Sequence, residues 1–282
     1  MDMVCNVAEV RARVAAWRRA GKTVALVPTM GNLHAGHMSL VRAAQREADV
    51  TVVSIFVNPT QFAPSEDFDA YPRTLEADAA LLRANAADLL FAPSVDEMYP
   101  LGPNTTWVEV EQLGRYLCGA NRPTHFRGVT TVVSKLFLIV APDVAVFGEK
   151  DFQQLTILRR MTAELRFPIR IVGVPTWREA DGLAFSSRNG YLTEAERERA
   201  PLIQQQLQQL KRAIADGERD YRALEDVMSA ALAAQGFKVD YVSVADAETL
   251  APATSEDRKL VIAAAAYLGK PRLIDNVTLD LT

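Results

Sequence analysis

The apolar run Thr23–Val27 leads straight into Pro28-Thr29-Met30-Gly31-Asn32-Leu33-His34-Ala35-Gly36-His37, and this junction constrains the fold more than any other stretch. It reads as a buried strand that stops at a glycine turn and reopens as a helix with two histidines in its first turns. A helix start presents backbone N–H groups without intrahelical partners and the positive end of the helix dipole, so it suits phosphate. His34 and His37 are three residues apart, which puts both rings on one helical face. Gly31 and Gly36 carry no Cβ, so a nucleotide can approach the backbone there. The order strand, turn, H-x-G-H, helix points to nucleotidyl transfer from ATP.

The histidine pair admits other readings. A metal site needs further ligands, but His125 is the one other histidine, and Cys5 and Cys118 are isolated in sequence. A helix cap with satisfied side chains is the usual fate of a lone histidine, yet two of them flank a glycine at a strand-to-helix turn. No G-x-x-x-x-G-K-[ST] occurs, and no G-x-G-x-x-G occurs at this turn.

A chain of 282 residues suggests two domains. With 49% hydrophobic and 23% charged residues it can bury ordinary cores. The net charge of −4 argues against a broad nucleic-acid footprint, which needs a basic surface. Two unrelated cysteines form no disulfide framework and fit a reducing, cytoplasmic setting. Val7, Val10, Val14 and Trp17 fall at helical spacing, so the N-terminus reads as an amphipathic helix and not a targeting signal. Apolar runs such as Leu260–Leu268 are far below membrane-spanning length, and a soluble protein is expected.

Strand-like and helical runs alternate through the first part. Thr23–Val27, a helix to about Ala48 and the strand Val50–Val57 make a βαβ unit with a parallel pair. A helix Leu75–Ala84 leads to Leu89–Ala92; later Val144–Phe147, a helix Phe152–Glu164 and Ile169–Val174 follow. Ligands of such sheets gather beyond the carboxyl ends of the strands. After Pro175 the texture changes: helices over Thr193–Asp216 and Tyr221–Ala234 precede short strands at Val239–Val244, Leu260–Ala265 and Leu273–Val277. The expectation is an α/β fold, with a Rossmann-like parallel-sheet domain over 1–175 and a smaller α+β domain over 176–282. Asp181–Gly190 lies near that boundary, where a lid or hinge fits.

Three more polar segments fall at places a site would use. Gly148-Glu149-Lys150-Asp151 follows a strand and opens a helix; Lys150 suits ATP phosphates, Gly148 a close nucleotide and Asp151 ribose hydroxyls. A solvated Glu-Lys-Asp turn is the plainer reading. Asn58-Pro59-Thr60-Gln61-Phe62 supplies neutral amides suited to a small hydroxy acid, although Asn-Pro turns are common. Ser186-Ser187-Arg188 offers two hydroxyls and a guanidinium, a triphosphate clamp or an ordinary exposed loop.

These segments stand among P-T-M-G-N-L-H-A-G-H at Pro28–His37, F-V-N-P-T-Q-F at Phe56–Phe62, Y-P-R-T at Tyr71–Thr74 and H-F-R-G-V at His125–Val129. F-G-E-K-D-F-Q-Q-L at Phe147–Leu155, D-G-L-A-F-S-S-R-N at Asp181–Asn189 and L-I-D-N at Leu273–Asn276 complete the set. In this order they resemble the pantoate–β-alanine ligase family from Thr23 to about Asn276, whereas H-x-G-H alone marks only a superfamily.

The resemblance implies an ATP-dependent condensation of pantoate with β-alanine through a pantoyl-adenylate. It implies ATP contacts along Met30, Gly31, Asn32, Leu33, His34, Ala35, Gly36 and His37, with His37 the catalytic proton donor. Further ATP contacts are implied at Gly148, Glu149, Lys150 and Asp151, at Trp177, and at Phe185, Ser186, Ser187 and Arg188. Gln61 would contact pantoate and β-alanine, and Gln154 pantoate; Asn58 joins Gln61 in the substrate-binding expectation. Mg²⁺ would be held chiefly by ATP phosphates, with Asp78 the matching acidic candidate. The chain departs from the family at Phe185, usually Met or Leu, and at Trp177, usually a small aliphatic. Cytoplasmic location and a homodimer are expected, with neither nucleic-acid nor membrane partners. Rivals are a nucleotidylyltransferase acting on a phosphorylated substrate, a class I aminoacyl-tRNA synthetase, disfavoured by the acidic balance, and a non-catalytic ATP sensor, disfavoured by His34, His37 and Lys150.

Overall fold

The computed structural model describes residues 1–63, 68–102 and 106–282. In chain order the first elements are β1 (Asp2–Val4), α1 (Val7–Arg19), β2 (Val24–Thr29), α2 (Ala35–Glu47) and β3 (Val50–Ile55). A short 3-10 turn, Pro59–Gln61, precedes α3 (Leu75–Ala84), β4 (Leu89–Phe91), α4 (Val95–Met98), α5 (Leu117–Asn121) and α6 (His125–Val140). Then come β5 (Val144–Gly148), α7 (Phe152–Glu164), β6 (Arg170–Val174), α8 (Glu194–Arg199), α9 (Leu202–Ala215) and α10 (Tyr221–Ala234). The strands β7 (Lys238–Asp246), β8 (Lys259–Tyr267) and β9 (Arg272–Asp280) close the chain.

Two compact units result. The first comprises Met1–Glu111, Arg122–Glu149 and Ile157–Pro175; the second comprises Gln112–Asn121, Lys150–Thr156 and Thr176–Thr282. The division expected after Pro175 is thus joined by two earlier excursions into the second unit, Gln112–Asn121 and Lys150–Thr156. Lys150 and Gln154 therefore belong with the C-terminal residues and not with the parallel sheet.

In the first unit six strands pair in parallel in the order β1-β4-β3-β2-β5-β6. The run Val24-Ala25-Leu26-Val27 is wholly buried, as expected of a parallel strand covered on both faces. Met38, Val41 and Ala44 of α2 pack with Val27, Val53 and Val146, burying the helix stripe against the sheet. From β2 the chain moves outward through β3 and β4, then returns to lay β5 on the other flank of β2. The carboxyl ends of β2 and β5 thus flank the topological switch point, where open α/β sheets bind ligands.

The second unit has an antiparallel sheet β7-β8-β9. Ile203, Leu207, Leu210 and Ile214 of α9 form a helical stripe in its core with Tyr221, Met228 and Leu232 of α10. The single helix expected over Thr193–Asp216 is corrected to two. Pro201 lacks an N–H and its ring crowds the preceding turn, so α8 ends at Arg199 and α9 restarts at Leu202. A reciprocal cap opens α8: Glu196 N–H donates to Thr193 Oγ1 and Thr193 N–H to the Glu196 carboxylate.

Candidate active site

The H-x-G-H segment leaves β2 through a left-handed turn, with Gly31 at φ +86° and Asn32 at +50°. A side chain at Gly31 would crowd Ile55 and Asp78, each 3.1 Å from an added Cβ, so glycine is required for both backbone angle and space. The turn is held from behind by Asp78 of α3, which is 3% exposed. Its Oδ2 accepts from Asn32 N–H at 2.9 Å and its Oδ1 from Leu33 N–H at 2.8 Å, while Thr74 Oγ1 donates to Oδ2 at 3.2 Å. Thr29 Oγ1 adds a bond from Gly31 N–H at 3.3 Å and itself donates to Ser54 C=O at 2.8 Å.

The helix then begins with Met38 N–H donating to His34 C=O at 3.1 Å. The rings of His34 and His37 lie 4.0 Å apart between centroids, tilted by 43°. His34 N–H donates to His37 Nδ1 at 3.3 Å. With Nδ1 accepting, the hydrogen of the neutral His37 ring sits on Nε2, which is then a donor. The structure thus brings the two histidines together at the helix start as their spacing predicts.

The second cluster of this unit follows β3. Asn58 caps the Pro59–Gln61 turn and is 1% exposed; Gln61 is 8% exposed. Asn58 Nδ2 donates to Gln61 Oε1 at 3.1 Å and to Gly128 C=O at 3.2 Å. Asn58 Oδ1 accepts from Tyr99 OH at 2.7 Å and Thr60 Oγ1 at 3.0 Å. Gln61 Nε2 donates to Met30 Sδ at 3.0 Å, which ties this cluster to the H-x-G-H segment. His125 Nδ1 donates to the Gln61 carbonyl at 2.9 Å. Gly128 lets α6 approach this turn, because a Cβ there would sit 2.7 Å from Gln61 Cα.

In the second unit, Asn276 Nδ2 donates to Lys150 C=O at 2.9 Å, fixing the backbone from which the ammonium projects. Lys150, Ser186, Asn189 and Asp275 line one cleft with Leu183 and Ala184. Ser186 Oγ accepts from Arg188 N–H at 3.2 Å, shaping the Ser187–Tyr191 turn. Phe185 N–H donates to Trp177 C=O at 3.0 Å, and their rings meet edge to face at 5.2 Å. Trp177 remains 38% exposed. Of the two glutamines on α7, Gln153 is buried and structural: its Nε2 reaches the carbonyls of Leu113 and Tyr116, and its Oε1 accepts from Cys118 N–H. Gln154 is half-buried. Gly148 ends β5 and Glu149 opens the turn after it, both in the first unit, and Asp151 is exposed in the second.

Two of the expected site residues also hold the local backbone or side chains in place. Asp78 has each oxygen accepting from a backbone N–H, which makes it a clamp on the turn that carries the H-x-G-H segment. Among the described residues no group of three or more His, Cys, Asp or Glu is placed to hold a metal ion. Asn58, named as a substrate contact, has both hydrogens of its amide and both lone pairs of its oxygen engaged within the protein. Tyr99 and Asn276 were missed by sequence reasoning; Asn276 ends the L-I-D-N motif, whereas nothing local marks Tyr99.

Comparison with known proteins gives consistent results. The profile of the Pantoate-beta-alanine ligase family matches residues 2–278. A pantothenate synthetase of Alcanivorax borkumensis is 64% identical over 279 residues, covering 99% of this chain and 98% of that one. The crystal structure of pantothenate synthetase from Thermus thermophilus superposes with a TM-score of 0.91 at 46% identity, covering 98% of this chain and 99% of the other. A pantoate–β-alanine ligase from Francisella tularensis, complexed with β-γ ATP and β-alanine, gives a TM-score of 0.83 at 33% identity, covering 100% and 98%.

Proposed function

We propose a residue-level course for the reaction from one premise: this chain belongs to the pantoate–β-alanine ligase family and joins pantoate to β-alanine using ATP. A pantoate carboxylate oxygen attacks the α-phosphorus of ATP, the bond to the β-phosphate oxygen breaks, and pyrophosphate leaves a pantoyl-adenylate. The β-alanine amine, having lost a proton, attacks the acyl carbon and AMP departs with the C–O electron pair. The first attack needs no general base, because the carboxylate is already ionised near neutrality.

Negative charge gathers on the phosphoryl oxygens, so donors placed in advance lower the barrier. The carrying observation is the histidine pair at the start of α2, where Nδ1 of His37 accepts the His34 N–H, so that a neutral ring carries its hydrogen on Nε2. His37 gives the proton-bearing contact; His34 and the α2 N-terminus assist. Lys150 adds a cation, and each such donor contributes about 2.7–4 kcal/mol by analogy with oxyanion-hole deletions. The ATP set is Met30–His37, Gly148–Asp151, Trp177 and Phe185–Arg188. Gln61 and Gln154 bind pantoate, and Gln61 also β-alanine.

Mg²⁺, held chiefly by the ATP phosphates, would offset negative charge on the leaving pyrophosphate. The Asp78 carboxylate acts in this course as the clamp of the H-x-G-H turn, and no step passes through it. The β-γ ATP and β-alanine complexed with the Francisella relative support the choice of substrates. The working form is a cytoplasmic homodimer; free Cys5 and Cys118 suit a reducing compartment, and sedimentation equilibrium reads the mass.

The test is isotope exchange. With pantoate and Mg²⁺ alone, the enzyme should exchange labelled pyrophosphate into ATP, and net AMP release should require β-alanine. His37→Ala should cut exchange about 10²–10³-fold with unchanged circular dichroism. Exchange that strictly requires β-alanine, or ADP as product, would sink the adenylate route.

A further inference from the structure

Gln61 is an amide, and an amide can show a substrate either its N–H or its C=O. Which face it shows is decided by groups behind it whose polarity cannot change. Gly128 C=O can only accept, so the Asn58 atom facing it at 3.2 Å must be Nδ2. Thr60 N–H can only donate, so the Asn58 atom facing it at 3.4 Å must be Oδ1. The second Nδ2 hydrogen then points at Gln61, which must answer with Oε1, at 3.1 Å. That turns Gln61 Nε2 away from the frame and toward Met30 Sδ. A thioether is a weak acceptor, so this donor is held by a partner that a substrate oxygen can displace.

Tyr99 completes the frame. Its hydroxyl donates to Asn58 Oδ1 at 2.7 Å, the shortest bond of the cluster, and the residue is buried beside Phe56. Burial pushes the phenol up from its ordinary value against the opposing hydrogen bond of Thr60, so the O–H stays a donor at all working pH.

We propose that Tyr99 and Asn58 act as a polarity relay that presents Gln61 to pantoate as an N–H donor, so that the site reads an oxygen acceptor on the hydroxy acid. Asn58 and Tyr99 are thus positioning residues, and neither touches substrate. The inference rests on Gln61 being a pantoate contact.

Steady-state kinetics with pantoate and ATP varied separately test both levels. Tyr99→Phe removes one neutral hydrogen bond and keeps the ring, so the pantoate KM should rise about tenfold while the ATP KM stays within about twofold. In a Gln61→Ala background, Tyr99→Phe should leave the pantoate KM where Gln61→Ala alone put it, because the relay then has nothing to orient. Asn58→Asp places an oxygen where Nδ2 stood, facing Gly128 C=O, and should force the Gln61 amide to turn, raising the pantoate KM about a hundredfold. If that variant fails to fold, the Tyr99 cycle carries the test alone. Equal losses for pantoate and ATP in Tyr99→Phe, or an undiminished effect in the Gln61→Ala background, overturn the relay but not the substrate role of Gln61. A Gln61→Ala enzyme with a normal pantoate KM overturns both.

Discussion

The two units hold their functional segments by different means. In the first, the H-x-G-H turn and the Asn58–Gln61 turn are fastened by short polar side chains to backbone groups: Asp78 to two N–H groups, Asn58 to Gly128 C=O, Thr29 to Ser54 C=O. In the second, arginines do the fastening. Arg178 grips Asp275 with two bonds, at 2.7 and 2.9 Å, and Arg197 bridges Glu179 and Asp181 at 2.7 and 2.6 Å. Backbone-directed bonds between buried groups ignore salt and tolerate no shift of the chain. Ion pairs at partly exposed loops respond to salt and acid and let a loop be held without burying it. The contrast places geometric precision in the parallel-sheet unit and conditional restraint in the loops around Ser186–Arg188.

The largest expected effect breaks the second kind of fastening. Asp275 is buried, and Asp275→Ala leaves the Arg178 guanidinium without its carboxylate, which should cost about 3 kcal/mol in denaturant unfolding. A loss below about 1 kcal/mol would place this pair with the partly exposed, salt-sensitive Arg197 bridges and overturn the expectation that the buried Asp275 carboxylate sets its cost.

A second variant breaks the first kind. Asp78→Asn sets an NH₂ group against the N–H of Asn32 or Leu33, so the turn should shift, kcat should fall about 10²-fold, and unfolding should become easier by about 1–2 kcal/mol. The Mg²⁺ concentration for half-maximal rate should stay put. A raised Mg²⁺ requirement would instead place this carboxylate on the metal.

How much of this was legible beforehand varies with the distance between partners. The helices Leu75–Ala84, Phe152–Glu164 and Tyr221–Ala234 lie where periodicity put them, because each carries its own apolar stripe and stop signal. The two-histidine helix start was readable because strand, turn and spacing are local. Strand β1 was not, since Asp2–Val4 gains its role only by pairing with Leu89–Phe91. Nor was α6 read as a helix, although Arg127, Thr131, Ser134 and Lys135 recur at helical spacing and most of its residues are buried. Asp78 looked like a metal candidate because an acidic residue after Y-P-R-T announces charge, and only the fold shows 46 residues of separation closing onto the Asn32 N–H. Tyr99 and Asn58 meet across 41 residues, with no pattern to announce it.

The smallest expected effect sharpens the comparison by pH. The Arg197 hydrogen bond holds the Asp181 carboxyl below the usual aspartate range. A depressed carboxylate contributes stability above its unfolded pKa and loses it as pH falls through the folded one. Arg197→Ala should therefore cost up to about 1 kcal/mol at pH near 7, discounted for exposure, and nothing below the folded value of Asp181. High salt should shrink the neutral-pH difference and leave the kcat deficit of Asp78→Asn untouched. A difference that persists in acid would assign the loss to packing of the arginine stem.

Gly128 carries a consequence for anyone who wishes to change what this enzyme accepts. The main chain of α6 passes so near the Thr60–Gln61 peptide that every other amino acid is shut out. Here helix and turn meet main chain against main chain, and no choice of side chain can change that spacing. Attempts to admit bulkier hydroxy acids by trimming residues on α6 will not enlarge the space at this point. Of the groups that touch the Gln61 amide, the Met30 thioether is the flexible one, so substitutions there have more scope to change the space around Gln61.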